Sequence, residues 1–123
     1  MIFVDANVLL EVLLGRERKD LCAAALTSGN DKAISVLTLD LVMYFAERDK
    51  LPLPSVKTFL ESFVWLPVTE ADAQTAYEYH KGADYEDALQ VACAMREGCK
   101  EFLTLDAGLH KKYRHHTPIT LLR

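Results

Sequence analysis

Short apolar runs alternate with longer amphipathic stretches along nearly the whole chain. Ile2-Phe3-Val4 opens it as a β-rich run that ends at Asp5. From Ala6 to Leu14 the apolar positions fit a helix, and Gly15 stops it. Arg18 to Ser28 predicts a second helix, rich in alanine and closed by Gly29. Lys32 to Val36 predicts a strand, and Thr38 stands where it can cap a helix running to about Asp49. Leu51-Pro52-Leu53-Pro54 breaks that helix, because a proline disfavours α geometry in the residue before it. Ser55 to Phe63 is helical again, and Val64 to Val68 forms a strand whose Pro67 points to an edge position. Thr69 caps a helix from Glu70 to Lys81 that Gly82 ends, and Asp84 opens another to about Glu97, stopped by Gly98. Glu101–Leu105 and Ile119–Leu122 supply the last two strands.

Strands separated by helices imply right-handed crossovers and a parallel sheet covered on both faces. The expected architecture is therefore α/β, a three-layer α/β/α stack with a mostly parallel central sheet of about five strands. A chain of 123 residues argues for a single domain spanning residues 1–123, long enough to bury a core without disulfide or metal staples. No repeat, linker or low-complexity segment interrupts it.

Composition narrows the function only by exclusion. Half of the residues are hydrophobic and 26% are charged, a globular balance. A net charge of −4 argues against a bulk electrostatic nucleic-acid binder, though it leaves room for a local basic rim. The opening residues carry no basic leader, and no apolar stretch approaches the roughly 20 residues that span a bilayer. Cys22, Cys93 and Cys99 are odd in number and lack metal-ligand spacing, which suits reduced thiols in a cytoplasmic protein.

Candidate chemistry lies at the ends of the strands. In an open parallel sheet, sites gather at the carboxyl edge. Asp5 follows the first strand, Asp106 follows Phe102-Leu103-Thr104-Leu105, and Asp40 lies early in the helix after the second strand. The helix that begins at Asp84 and Asp87 runs into the strand before Asp106, so its start lies at the same edge. Asp84 and Asp87, three apart, share a helical face. Taken singly, Asp5 and Asp84 could be helix caps and Asp40 a complement to a helix dipole. Taken together, five like-charged carboxylates at one edge repel unless protons or cations intervene. All-oxygen ligands suit Mg²⁺ or Mn²⁺, and metal-assisted phosphodiester hydrolysis follows as a hypothesis.

The same residues carry a resemblance. Val4-Asp5-Ala6-Asn7-Val8-Leu9-Leu10, Asp84-Tyr85-Glu86-Asp87-Ala88-Leu89 and Leu103-Thr104-Leu105-Asp106 resemble, in order and spacing, the motifs of PIN domains. Together they resemble the VapC-like toxin ribonucleases of toxin–antitoxin pairs. That resemblance implies a PIN-like fold and a Mg²⁺- or Mn²⁺-dependent endoribonuclease that acts on RNA, pairs with an antitoxin and forms a homodimer. It implies metal binding by Asp5, Asp87 and Asp106, with Asn7 and Thr104 in support; Asp84, on the Asp87 face, is a further supporting candidate. One position departs from the pattern: Leu41 stands where the family places a glutamate, and Asp40 is one residue earlier. A single step along a helix turns a side chain by about 100°. Either a small rotation of this helix brings Asp40 in or Glu47 reaches from two turns on; with neither, metal affinity falls and the nuclease is weak or inactive.

Two basic groups are candidates for RNA phosphates: Arg16, Arg18 and Lys19 after the first helix, and Lys111, Lys112 and Arg114 after Asp106, with Tyr113 available for base stacking. Adjacent His115 and His116, without Cys or His pairs at ligand spacing, do not suggest zinc. Phe59, Leu60, Phe63 and Trp65 form an apolar group that is mostly core, with room for one residue to remain outside as a dimer or antitoxin surface. Leu41 also permits a different class, a PIN-like module that has lost catalysis and acts by binding RNA or protein. A phosphoacceptor receiver domain needs an acid at the end of the middle strand, where Leu66-Pro67-Val68 has none.

Overall fold

The computed structural model describes Met1 to Arg123. Five strands, β1 (Ile2–Val4), β2 (Lys32–Ser35), β3 (Val64–Leu66), β4 (Glu101–Thr104) and β5 (Ile119–Leu121), pair in parallel throughout, in the order β3-β2-β1-β4-β5. The helices are α1 (Ala6–Leu13), α2 (Lys19–Thr27), α3 (Val36–Arg48), α4 (Leu53–Glu61), α5 (Glu70–His80), α6 (Tyr85–Arg96) and α7 (Ala107–Tyr113). The expected three-layer α/β/α stack is present.

Alternation along the strands sorts the two cores. Ile2 and Val4 of β1 join Ile34, Leu103 and the apolar faces of α1 to α4 on one side of the sheet. Phe3 points the other way, stacks on Phe102 with ring centroids 5.0 Å apart, and joins Val91, Leu109 and Tyr113 from α6 and α7. The central strands are therefore buried on both faces, as parallel strands are. Val64 and Trp65 of β3 stay exposed, consistent with the edge position expected from Pro67.

Strand order reverses between β1 and β4. The chain first builds outward through β2 and β3, then returns to the other side of β1. Crossovers on the two sides leave a crevice outside the carboxyl ends of β1 and β4. Asp5 and Asp106 both lie there.

Several boundaries differ from expectation for local reasons. Ser35, not Thr38, caps α3: it is extended (φ −84°, ψ 161°), and its Oγ accepts from Thr38 N at 3.2 Å. The helix therefore starts at Val36, and Asp40 falls in its second turn. Pro54 sits inside the first turn of α4, where an amide would have no intrahelical acceptor. The span between Asp106 and the last strand, to which the sequence assigns no element, holds α7. Thr69 caps α5 as expected, in a reciprocal box with Asp72. Asp72 is buried and also receives Arg96 Nε at 2.8 Å and Nη2 at 3.2 Å, which clamps α5 to α6. The three cysteines are free and buried. No helix is long and apolar enough to cross a membrane.

Candidate active site

Asp5 directly follows β1 and occupies the N-cap position of α1, yet its side chain makes no capping bond. Its Oδ2 instead accepts from Thr104 Oγ1 at 2.8 Å and from Asn7 Nδ2 at 3.1 Å. Asn7 Nδ2 also lies 3.3 Å from Thr104 Oγ1, and Asn7 Oδ1 accepts from Leu105 N at 3.2 Å. Thr104 Oγ1 in turn accepts from Asp106 N at 3.0 Å. One network thus joins the carboxyl ends of β1 and β4 and leaves Asp5 only 6% exposed.

Asp106 is held differently. Its Oδ1 accepts from Gly108 N at 2.8 Å and Leu109 N at 3.1 Å, capping α7 and fixing the carboxylate's orientation. A Cβ on Gly108 would meet that oxygen at 3.2 Å, so glycine there keeps the cap uncrowded. Asp87 comes from the first turn of α6, half-buried, and its carboxylate makes no hydrogen bond to the protein. One turn on, buried Gln90 accepts from Ser35 Oγ at 2.6 Å and donates to Thr38 Oγ1 at 2.9 Å. That bridge sets the rotation of α6 against the β2–α3 junction.

The electrostatics show that these acids feel one another. Burial pushes Asp87 up to about 7, and the charges of Asp5, Asp106, Asp84 and Glu86 add to the rise. Burial also pushes Asp5 up to about 6, opposed by the Thr104 hydrogen bond and the Ala6 amide and reinforced by Asp106 and Glu86. Full ionisation of the group near neutral pH therefore needs a nearby cation. Asp5, Asn7, Arg16, Leu41, Glu86 and Asp87 help to line a cleft of about 310 Å³.

A family model for the PIN domain matches residues 2–115. The chain belongs to the PIN domain family. Solved structures share its fold. A toxin–antitoxin complex from Klebsiella pneumoniae superposes with a TM-score of 0.80 at 20% identity, covering 98% of this chain and 96% of that one. FitAcB from Neisseria gonorrhoeae gives 0.78 at 20% identity, covering 97% and 96%. VapC20 of Mycobacterium tuberculosis, a toxin that cleaves the sarcin–ricin loop, gives 0.75 at 16% identity, covering 90% and 94%. Among curated proteins none matches in sequence.

In this PIN domain, Asp5, Asn7, Thr104 and Asp106 share one hydrogen-bond network, and Asp87 lies within charge range of Asp5 and Asp106. Asp84 precedes α6 in a left-handed conformation (φ 55°), is exposed and makes no cap bond, although its charge still bears on Asp87. The expectation for Asp40 is corrected. It is exposed and lines a separate depression with Tyr44, Glu47 and Arg48, while Leu41 lines the acidic cleft. Neither Asp40 nor Glu47 lines the cleft, because the packed face of α3 turns Leu41 toward it. Glu86 does line the cleft and escaped the sequence reading. Its only signal was adjacency to Asp87.

The basic residues divide. Arg16 lines the cleft, and Lys19, Lys111 and Arg114 are exposed. Arg18 pairs with Glu11, its amide donating to Glu11 Oε2 at 2.7 Å. Lys112 donates to the carbonyls of His80 and Ala83 and so holds the end of α5. Tyr113 is not available for base stacking. It lies one helical turn after Leu109, on the buried face of α7, and is 1% exposed.

The donor set of the cleft is all oxygen, with neither histidine nor cysteine among its lining residues. No three acidic, histidine or cysteine side chains converge as a ready-made metal cage. Mg²⁺ asks for less, because it keeps several waters and binds through one or two carboxylates. The residues fit such an ion.

Proposed function

We propose that the chain is a metal-dependent endoribonuclease that hydrolyses RNA phosphodiester bonds, and the toxin of a type II toxin–antitoxin pair. The observation that carries this reading is the buried Asp5 carboxylate, tied to Thr104 and coupled by charge to Asp87 and Asp106 at the switch point of the sheet. Asp5, Asp87 and Asp106 would hold Mg²⁺ or Mn²⁺, with Asn7 and Thr104 fixing the Asp5 side chain. Bound there, the ion would supply a more acidic water and would neutralise charge building on the phosphate. Arg16, which lines the cleft, meets an RNA phosphate, with exposed Lys19, Lys111 and Arg114 as further phosphate contacts. Leu41 and Phe45 of α3 supply apolar lining to the same cleft.

The toxin role draws support from the toxin–antitoxin complexes among the structural neighbours. A protein partner, antitoxin or second copy, has an uncovered apolar surface available. Leu60 and Phe63 are buried, but Leu53 and Trp65 remain 40% and 46% exposed beside a groove of about 570 Å³. Free, buried cysteines suit a cytoplasmic setting.

The test is cleavage of structured RNA by purified protein with Mn²⁺, beside Asp5→Asn and an EDTA control. The expected result is cleavage by the wild type alone, abolished by EDTA. Equal cleavage by both proteins would expose a contaminant. A second reading, a PIN-like binding module without catalysis, is favoured by Leu41 on the cleft wall. RNA retention without cleavage by either protein would select it.

A further inference from the structure

We infer that Glu86 completes the cation-binding set of this cleft, supplying from α6 a carboxylate that the α3 wall lacks; the inference rests on the metal-dependent reading above. The α3 side of the cleft presents Leu41 and Phe45, which offer no ligand atom. The acids of that helix, Asp40 and Glu47, line a different depression. Asp84 lies outside the cleft lining. Glu86 is the one acid besides Asp5 and Asp87 among the lining residues.

Its setting suits a ligand. The Glu86 carboxylate has no hydrogen-bonding or ion-pairing partner in the protein, and Arg16 on the same cleft does not pair with it. Glu86 is exposed where Asp5 is buried, so the two stand at the mouth and the floor of one opening. Glu86 and Asp87 are successive residues on α6, about 100° apart around its axis, yet both line the cleft. The extra methylene of glutamate gives reach from the mouth. Its negative charge adds slightly to the upward push on both Asp5 and Asp87.

Isothermal titration of the full chain with Mn²⁺ tests this without reference to activity. Wild type, Asp5→Asn, Glu86→Gln and Asp40→Asn are compared, with melting in EDTA as the check on folding. An exposed, unbonded Glu86 predicts unchanged melting for Glu86→Gln. Its Mn²⁺ affinity is expected to fall about tenfold or more, the scale on which groups around a metal act. Asp40→Asn is expected to bind as wild type does. Wild-type affinity in Glu86→Gln overturns the inference, as does a loss in Asp40→Asn with none in Glu86→Gln. If Asp5→Asn loses Mn²⁺ while Glu86→Gln keeps it, the inference falls and the site stands. If Asp5→Asn also binds normally, both fall.

Discussion

The Thr104 hydroxyl donates to Asp5 Oδ2 at 2.8 Å across 99 residues of chain. Beneath that bond, Asp5 N donates to the Leu103 carbonyl at 2.9 Å, and Val4 pairs in register with Leu103. Pairing of β1 with β4 thus delivers donor and acceptor to the same point, and the side-chain bond comes with the sheet.

Thr104→Val removes the Asp5 donor and the Asp106 amide's acceptor in one step. Leaving buried polar groups unpaired costs about 1–3 kcal/mol each. The variant is expected to lose stability on that scale in urea denaturation. Because the lost bond holds Asp5 down, the carboxyl group should also titrate at higher pH. Wild-type stability would show that Asn7 alone satisfies Asp5.

Asp87 makes the metal-free protein sensitive to pH. Its carboxyl group titrates near the usual 3.8 when unfolded and at about 7 when folded. Between those values the unfolded chain has released the proton that the folded one retains. Native stability therefore falls as pH rises across that window and levels above it. In EDTA, Asp87→Asn is expected to melt above wild type at about pH 8 and to converge with it near about pH 4. A gap of equal size at both pH values would assign the effect to packing instead.

Tyr113 is buried with its hydroxyl unbonded by the protein. Tyr113→Phe is expected to leave stability unchanged or to raise it by about 1 kcal/mol, since an unpaired buried hydroxyl stabilises nothing. RNA affinity should not move. Weaker RNA binding at wild-type stability would return the ring to the surface.

Asp72→Ala removes a nearly fully buried acid that binds Thr69 N and Arg96. Breaking one side of such a pair costs about 3 kcal/mol, the low end of the range because Arg96 keeps partial contact with water. Denaturant melts should show the loss, with Asp72→Asn falling between. A neutral Asp72→Ala would mean that α5 and α6 need only their apolar contact.

Local features of the sequence reach different depths. The capping box at Thr69 was legible because donor and acceptor lie three residues apart. The cap of α3 was not. Ser35 and Thr38 are both good caps, and Gln90, 55 residues from Ser35, binds both hydroxyls in the folded chain. Tyr113 sits in a basic run that suggests a surface, yet its spacing from Leu109 puts it on the buried face of α7. Asp84, Glu86 and Asp87 are three acids within four residues, and their order does not say which of them meet Asp5.

By itself the sequence determined the alternation of strands and helices, the parallel layering that follows, and the strand ends that carry Asp5 and Asp106. Those depend on hydrophobic period, caps and breakers, which act over a few residues. Tertiary structure alone decided that Leu41 faces the cleft in place of Asp40, that Glu86 joins Asp87 there, and that Tyr113 is core. Each of these is a helix rotation, about 100° per residue. Rotation is set by the apolar face that packs on the sheet, through contacts between residues far apart in the chain.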